Sequence, residues 1–343
     1  MRLSIIVLSL LLSLGTSAQE QAKHGEFLGA KFVEELPSWF KDSFMDLSED
    51  LEEANDENRH IMVYFHQNGC PYCAKLVEDN FHHPEIVNKL QSHFDVIETN
   101  MWGDRELTDW NGESFTEKDF AAHMKVQFTP TLVFLDAKGT VVLRLNGYQS
   151  VDKMDKTLDY IANKTYLKRS YASYINSFKT QSVGSLNPHP IFEQGPHMLA
   201  RSRQLPASKY LAVFFEEPNC PECDRFYQDL MSLETTQALL GQMQVVRFNA
   251  LSDEKLITPS GKRTSAKDWY EDLQLTYKPA IVFFAKDGSE VIRKDAFFKQ
   301  YHLHGIMQYV LSEAYYQQPS FQRYLEDASD KLREQGITVD LWK

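Results

Sequence analysis

The four cysteines of this chain fall in two turns of one plan, Cys70-Pro-Tyr-Cys73 within NGCPYCAKL and Cys220-Pro-Glu-Cys223 within NCPECDRF. A CxxC between a strand and a helix puts its first sulfur at the helix N-terminus, where unpaired N–H groups and the macrodipole favour the thiolate. That thiolate attacks a partner disulfide, and the second cysteine, one turn along, resolves the mixed disulfide. Cys70 and Cys220 are therefore the candidate nucleophiles, Cys73 and Cys223 the resolvers. Pro71 and Pro221 suit a first helical turn, where their missing N–H costs nothing. A structural disulfide is the bland alternative. A four-thiolate zinc site would need both pairs to converge, whereas each pair opens a helix of its own. His82-His83 is no better a metal pair, since adjacent residues on a helix or turn point apart.

The elements that must hold these turns repeat with them. An apolar run precedes each, Ile61–Phe65 and Leu211–Phe215, and reads as a buried strand. A polar-apolar helical stretch follows each turn, then a second strand at Phe94–Ile97 and at Met243–Val246. Pro130 in VQFTPTLVFLDAKGTVV and Pro279 in LQLTYKPAIVFFAKDGSEVI hold the same register, and Gly139 and Gly288 turn the hairpins that follow. Closing helices fall near Val151–Ile161 and Tyr301–Glu313, and leading helices are expected at Phe44–Asn55 and His197–Gln204. The stretch TQSVGSLNPHPIFEQGP, residues 180–196, reads as a connection between separable units. In the tail, Phe321, Tyr324, Leu325, Ala328 and Leu332 share one helical face, read as packing on the second unit. The fold class is α/β, two modules in tandem, each a central mixed sheet flanked by helices.

At 343 residues, 43% hydrophobic and 24% charged, the chain has material for two cores. It opens MRLSIIVLSLLLSLGTSAQE, one Arg, roughly a dozen apolar residues and small residues at Thr16 and Ala18, which is the plan of a secretory leader cut near Ala18. The run is short of the roughly 20 apolar residues that span a bilayer, and no later segment is long enough either, so no stable membrane insertion is expected once the leader is removed. A net charge of −12 argues against nucleic acid as a partner. Exported chains normally spend cysteines on staples between distant segments. Confining all four to CxxC turns points to exchange instead. The boundaries read as leader 1–18, first module 19–178, linker 179–196, second module 197–315, and helix and tail 316–343.

CxxC at the first helix with a proline in fixed register resembles the thioredoxin fold, twice over. That resemblance implies a cis proline facing the sulfurs, preceded by a residue whose backbone meets the substrate chain: Thr129 with Pro130, Lys278 with Pro279. CPYC, WGDRELTDWNG (102–112), TEKDFA (116–121) and VQFTPTLVFLD (126–136) make the first module similar to the SoxW-type periplasmic thioredoxins. This implies a periplasmic reductase acting on disulfide-containing proteins or sulfur-carrying thiols, fed by an upstream electron donor and needing no cofactor. The buried acid that thioredoxins place six residues before the first cysteine is replaced by Tyr64 and Phe214. His66 and Glu216 are the remaining candidates for proton handling. The Trp102–Trp110 insertion either lines a groove beside Cys70 or covers the module.

The reading is a thiol:disulfide oxidoreductase that reduces protein or small-molecule disulfides, with reductase the favoured direction. A non-enzymatic binding module and a copper- or zinc-handling protein stand as alternatives. The two centres are expected to differ. Glu216, Glu217, Glu222 and Asp224 surround Cys220, whereas His66, Gln67, Tyr72 and Ala74 surround Cys70, so carboxylates, offset in part by Lys278 beside Pro279, should raise the Cys220 thiol by about one pKa unit and leave Cys70 the more reactive.

Overall fold

The computed structural model of the chain describes residues 24–31, 35–178 and 184–342. The expected leader lies outside them. The first half runs β1 (Phe27–Leu28), α1 (Leu47–Asp56), β2 (His60–His66), α2 (Pro71–Asp79), α3 (Pro84–His93), β3 (Phe94–Asn100), the ribbon β4 (Glu106–Thr108) and β5 (Ser114–Thr116), α4 (Glu117–His123), β6 (Thr131–Leu135), β7 (Val141–Asn146), α5 (Val151–Ala162) and α6 (Tyr171–Asn176). The second half repeats the plan with β8 (Leu211–Glu216), α7 (Pro221–Phe226), α8 (Glu234–Leu240), β9 (Gln244–Asn249), β10 (Lys255–Ile257), β11 (Arg263–Ser265), α9 (Ala266–Asp272), β12 (Ala280–Phe284), β13 (Glu290–Lys294), α10 (Gln300–Leu311) and α11 (Phe321–Glu334), closing with β14 (Val339–Asp340).

Each half folds around a four-stranded mixed sheet, β3-β2-β6-β7 in one and β9-β8-β12-β13 in the other. β2 and β3 run parallel and the remaining neighbours antiparallel, and the second sheet copies this. The central strands β6, β8 and β12 are buried along their whole length and β2 as far as Phe65, as a strand covered by helices on both faces requires. Each sheet has two apolar clusters, one per face: Tyr64, Phe81, Phe94 and Leu158 against one side of the first, Phe65, Ile97 and Phe120 against the other.

The expected leading helix at His197–Gln204 does not form. Met198 bridges to Ile257, Leu199 N–H donates to Ile257 O and Arg201 N–H to Pro259 O, so the segment lies extended along β10. Pro196 and Pro206 flank it, and buried Arg201 ties its guanidinium to Leu199 O, Lys209 O and Gln244. The first-half counterpart begins at Leu47 because Asp46 accepts from the N–H groups of Ser48 and Glu49 there. In the connection, Phe192 is buried against Phe214 and Glu193 N–H donates to Val245 O, so its later part edges the second sheet.

The halves pack about a pseudo-twofold. Gly147 and Ala296, which occupy equivalent positions after β7 and β13, meet each other: a Cβ on Gly147 would stand 2.6 Å from the Ala296 Cβ. Ser170 and Ser320 cap the equivalent helices α6 and α11, and each helix docks on the proline loop of the other half. Phe321 N–H donates to Gln127 Oε1 (2.9 Å) and Gln322 Nε2 to Gln127 O (3.2 Å). Across the other joint, Ser170 meets Glu271 and Lys278 donates to Asn176. Phe128 lies within the second half's apolar cluster, against Phe298 and Phe321. Finally, β14 pairs in parallel with β1, bringing the tail back to the first half.

Candidate active sites

A residue with positive φ precedes each first cysteine, Gly69 at 72° and Asn219 at 54°. Glycine has no Cβ to clash there and asparagine is among the few side chains that tolerate it, so the chain turns sharply from strand into helix. Cys70 and Cys220 cap α2 and α7. Each sulfur receives the N–H of the second cysteine at 3.1 Å, with Pro71 and Pro221 in the first turn. Both pairs are closed as disulfides, Cys70–Cys73 and Cys220–Cys223.

The proline loop reaches the sulfur at the first centre, and at the second it reaches Glu217. The Thr129–Pro130 and Lys278–Pro279 bonds are cis. Thr129 Oγ1 donates to Cys70 Sγ (3.4 Å), and Thr129 O stands 3.6 Å from that sulfur. In the second centre Lys278 is buried and forms a 2.6 Å ion pair with Glu217. Gly195–Pro196 is a third cis bond, remote from the CxxC registers.

The candidates for proton handling are both engaged elsewhere. His66 Nε2 lies 2.8 Å from Glu98 Oε2, its ring stacked on Tyr64. Glu216 accepts from Tyr227 Oη (2.7 Å) and sits 3.4 Å from Arg247, and burial holds its carboxyl above the usual range despite both. The carboxylates that crowd Cys220 in the sequence are thus largely matched: Glu216 by Tyr227 and Arg247, Glu217 by Lys278, Glu222 by Arg225 at 3.4 Å. The expected charge contrast between the centres shrinks accordingly.

Three groups near the centres were not legible from motif spacing. Lys294, 1% exposed, donates to Pro279 O (2.7 Å) beneath the second centre, and burial pushes its amine down to about 7. The first half has Leu145 at this position, so a comparison of the copies was the signal available. His302, from α10 of the second half, borders the Cys70 cavity with its ring 5.7 Å from that of Tyr72, and burial lowers its pKa to about 4. Trp342 packs on Tyr72 from the tail. In the tryptophan insertion, Trp102 borders the Cys70 cavity and donates to Gln67 (2.7 Å), while Trp110 covers Gly139 and Phe120.

All four cysteines are nearly enclosed: Cys70 is 5% exposed, Cys73 0%, Cys220 3% and Cys223 5%. The cavity at Cys70, about 390 Å³, is closed by α10, α11 and the tail. The cleft at Cys220, about 540 Å³, is walled on its far side by the first half.

Two mixed sheets, each with a CxxC capping the helix that follows β2 or β8 under a cis proline, define a tandem thioredoxin-fold protein. The profile of the thioredoxin-like domain matches the chain twice, over residues 47–162 and 200–311, and the chain belongs to that family. Among solved structures it is similar to a thioredoxin-fold protein from Helicobacter pylori (20% identity, 41% of this chain and 87% of that one, TM-score 0.35). It is also similar to a thioredoxin from Thermus thermophilus (28%, 36% and 89%, TM-score 0.29) and to the oxidoreductase DsbH (19%, 41% and 94%, TM-score 0.26). Comparison with curated proteins gave no match. The family and the paired CxxC disulfides support thiol:disulfide exchange as the chemistry of the chain.

Proposed function

We propose that this protein is an exported, periplasmic thiol:disulfide oxidoreductase of the SoxW-like kind, working as a reductase. The observation that carries the exchange reading is the contact of Thr129 with Cys70 Sγ at a helix N-terminus. It sets a sulfur that can bear charge beside the loop whose backbone meets a substrate chain in this fold. Export rests on the leader-like residues 1–18, and the reducing direction on likeness to SoxW-type sequences. Its substrates are disulfide-containing proteins or sulfur-carrying thiols. Each turnover leaves an oxidised CxxC, so an upstream dithiol donor must restore it.

The test is turnover of a model disulfide with dithiothreitol as donor. The rate above the uncatalysed background should fall in Cys70→Ala, fall in Cys220→Ala, and vanish in the double variant. A wild-type rate at background would favour the second reading, a binding module with closed CxxC turns. The near-complete burial of all four sulfurs is the observation on that side.

A further inference from the structure

The second centre opens on a cleft that the second half does not make alone. Cys220, the attacking cysteine, lines this cleft, and Cys223 does not. Its opposite wall is Tyr72, Lys75, Tyr148 and Lys153, all from the first half. Three hydrogen bonds hold that wall in place: Lys153 Nζ to Thr276 O (2.9 Å), Ser170 Oγ to Glu271 Oε2 (3.0 Å) and Lys278 Nζ to Asn176 Oδ1 (3.2 Å). Two of the three end on the loop that carries Pro279. Phe297 and Trp342 close in over the Tyr72 ring, at 6.4 and 5.2 Å.

A folded partner must clear the first-half wall before its disulfide reaches Cys220, which is 3% exposed. A small molecule can enter: about 540 Å³ lies within the range of about 300–1,000 Å³ typical of small-ligand sites. The lining suits a neutral or anionic guest. Aromatic rings supply much of it; Lys156 pairs with Asp152, Lys278 with Glu217 and Arg225 with Glu222, while Lys75 ties to Asp79 outside the lining and Lys153 to Thr276 O, so basic side chains outnumber acidic ones.

Building on the exchange reading, we propose that the Cys220 centre reduces low-molecular-weight disulfides, selected by size in a cleft half built by the first module. The Cys220 thiolate attacks one sulfur of RSSR, the S–S bond breaks, and RS⁻ leaves and takes a proton from solvent. Cys223, deprotonated, then attacks Cys220 Sγ and expels the second RS⁻. The protein dithiol gives two electrons and becomes the disulfide, and RSSR becomes two RSH.

The experiment uses the full chain, reduced and freed of reductant, then mixed with either 2-hydroxyethyl disulfide or insulin. Samples are quenched with N-ethylmaleimide, and oxidation of the Cys220–Cys223 peptide is followed by mass spectrometry. Each rate is divided by that of the same disulfide with dithiothreitol, which removes intrinsic reactivity. The normalised rate for 2-hydroxyethyl disulfide should exceed that for insulin by about 100-fold, the middle of the roughly 1–3 decades over which association rates of related complexes differ. Tyr148→Ala, which thins the wall, should narrow the ratio at least tenfold, and Lys153→Met, which removes the tie to Thr276, should narrow it in the same direction. Equal normalised rates in the wild-type chain would overturn the size selection and leave the exchange reading standing. A peptide that neither disulfide oxidises would overturn both.

Discussion

Lys278 and Lys294 set the charge around the second centre from opposite sides of Pro279. Lys278 compensates Glu217 in a pair that is buried on both partners, and breaking such a pair leaves an uncompensated charge near the sulfur. Lys278→Met should therefore raise the Cys220 thiol by about one pKa unit and slow its alkylation by iodoacetamide at pH 7 several-fold, read in a Cys223→Ala background. An unchanged rate would show that Glu217 does not act on that sulfur. Lys294 makes a separate prediction. Its amine falls from 10.5 to about 7 on folding, so between those values the unfolded chain holds the proton that the folded chain has lost. Stability must then rise with pH across that window, by up to about 1.4 kcal/mol per unit, and stay level below pH 7 with respect to this group. Lys294→Met should remove the slope when denaturant unfolding is compared at pH 7, 8 and 9. Parallel curves for the two proteins would place the titration elsewhere.

Among the elements, the segments after β7 and β13 do what neither module does for itself. Gly147 sits at φ 69° with Ala296 against it, so a side chain there meets both backbone strain and a neighbour. Gly147→Ala should cost more than the roughly 1 kcal/mol of a left-handed non-glycine residue. Adding Ala296→Gly should recover the steric part and leave the strain, a coupling that a double-mutant cycle of unfolding free energies measures. Simple additivity would mean that the halves adjust apart without loss. Ser320 caps α11 where that helix reaches Gln127. Ser320→Ala should cost about 1 kcal/mol.

In the whole molecule, the two halves have cores of their own yet exchange parts. Phe128 belongs by sequence to the first proline loop and by packing to the second core. Phe128→Ala should cost about 3–5 kcal/mol, the range for a buried aromatic, and should lower the midpoint of both halves together. Tryptophan fluorescence reports mostly on the first half, with Trp39, Trp102 and Trp110, and hydrogen exchange at β8 and β12 reports on the second. Transitions that separate in the wild-type chain would mean that the joint carries little coupling. A reciprocal interface also explains why each centre is shut by the other half: α11 and the tail lie over Cys70, and Tyr148 and Lys153 lie across from Cys220.

The sequence alone determined what is local and repeated. The two CxxC turns, the apolar strands before them, the prolines in register and the glycine hairpins are set by spacing and by backbone preference, and a duplicated chain shows them twice. The face Phe321, Tyr324, Leu325 was readable for the same reason, since a 3.6-residue period marks one side of a helix. His197–Gln204 misled because its composition permits a helix, and the competing pairing with β10 is a contact some 60 residues away. Formal charge around Cys220 was visible too, with Lys278 as a partial offset, but the pairing of Glu216 with Arg247 and of Glu217 with Lys278 is made only in three dimensions. Which half covers which sulfur was decided by tertiary structure alone. That depends on the Gly147–Ala296 contact and on docking of α6 and α11 across the joint, contacts between residues roughly 100 to 200 apart that carry no periodic or compositional mark in the chain.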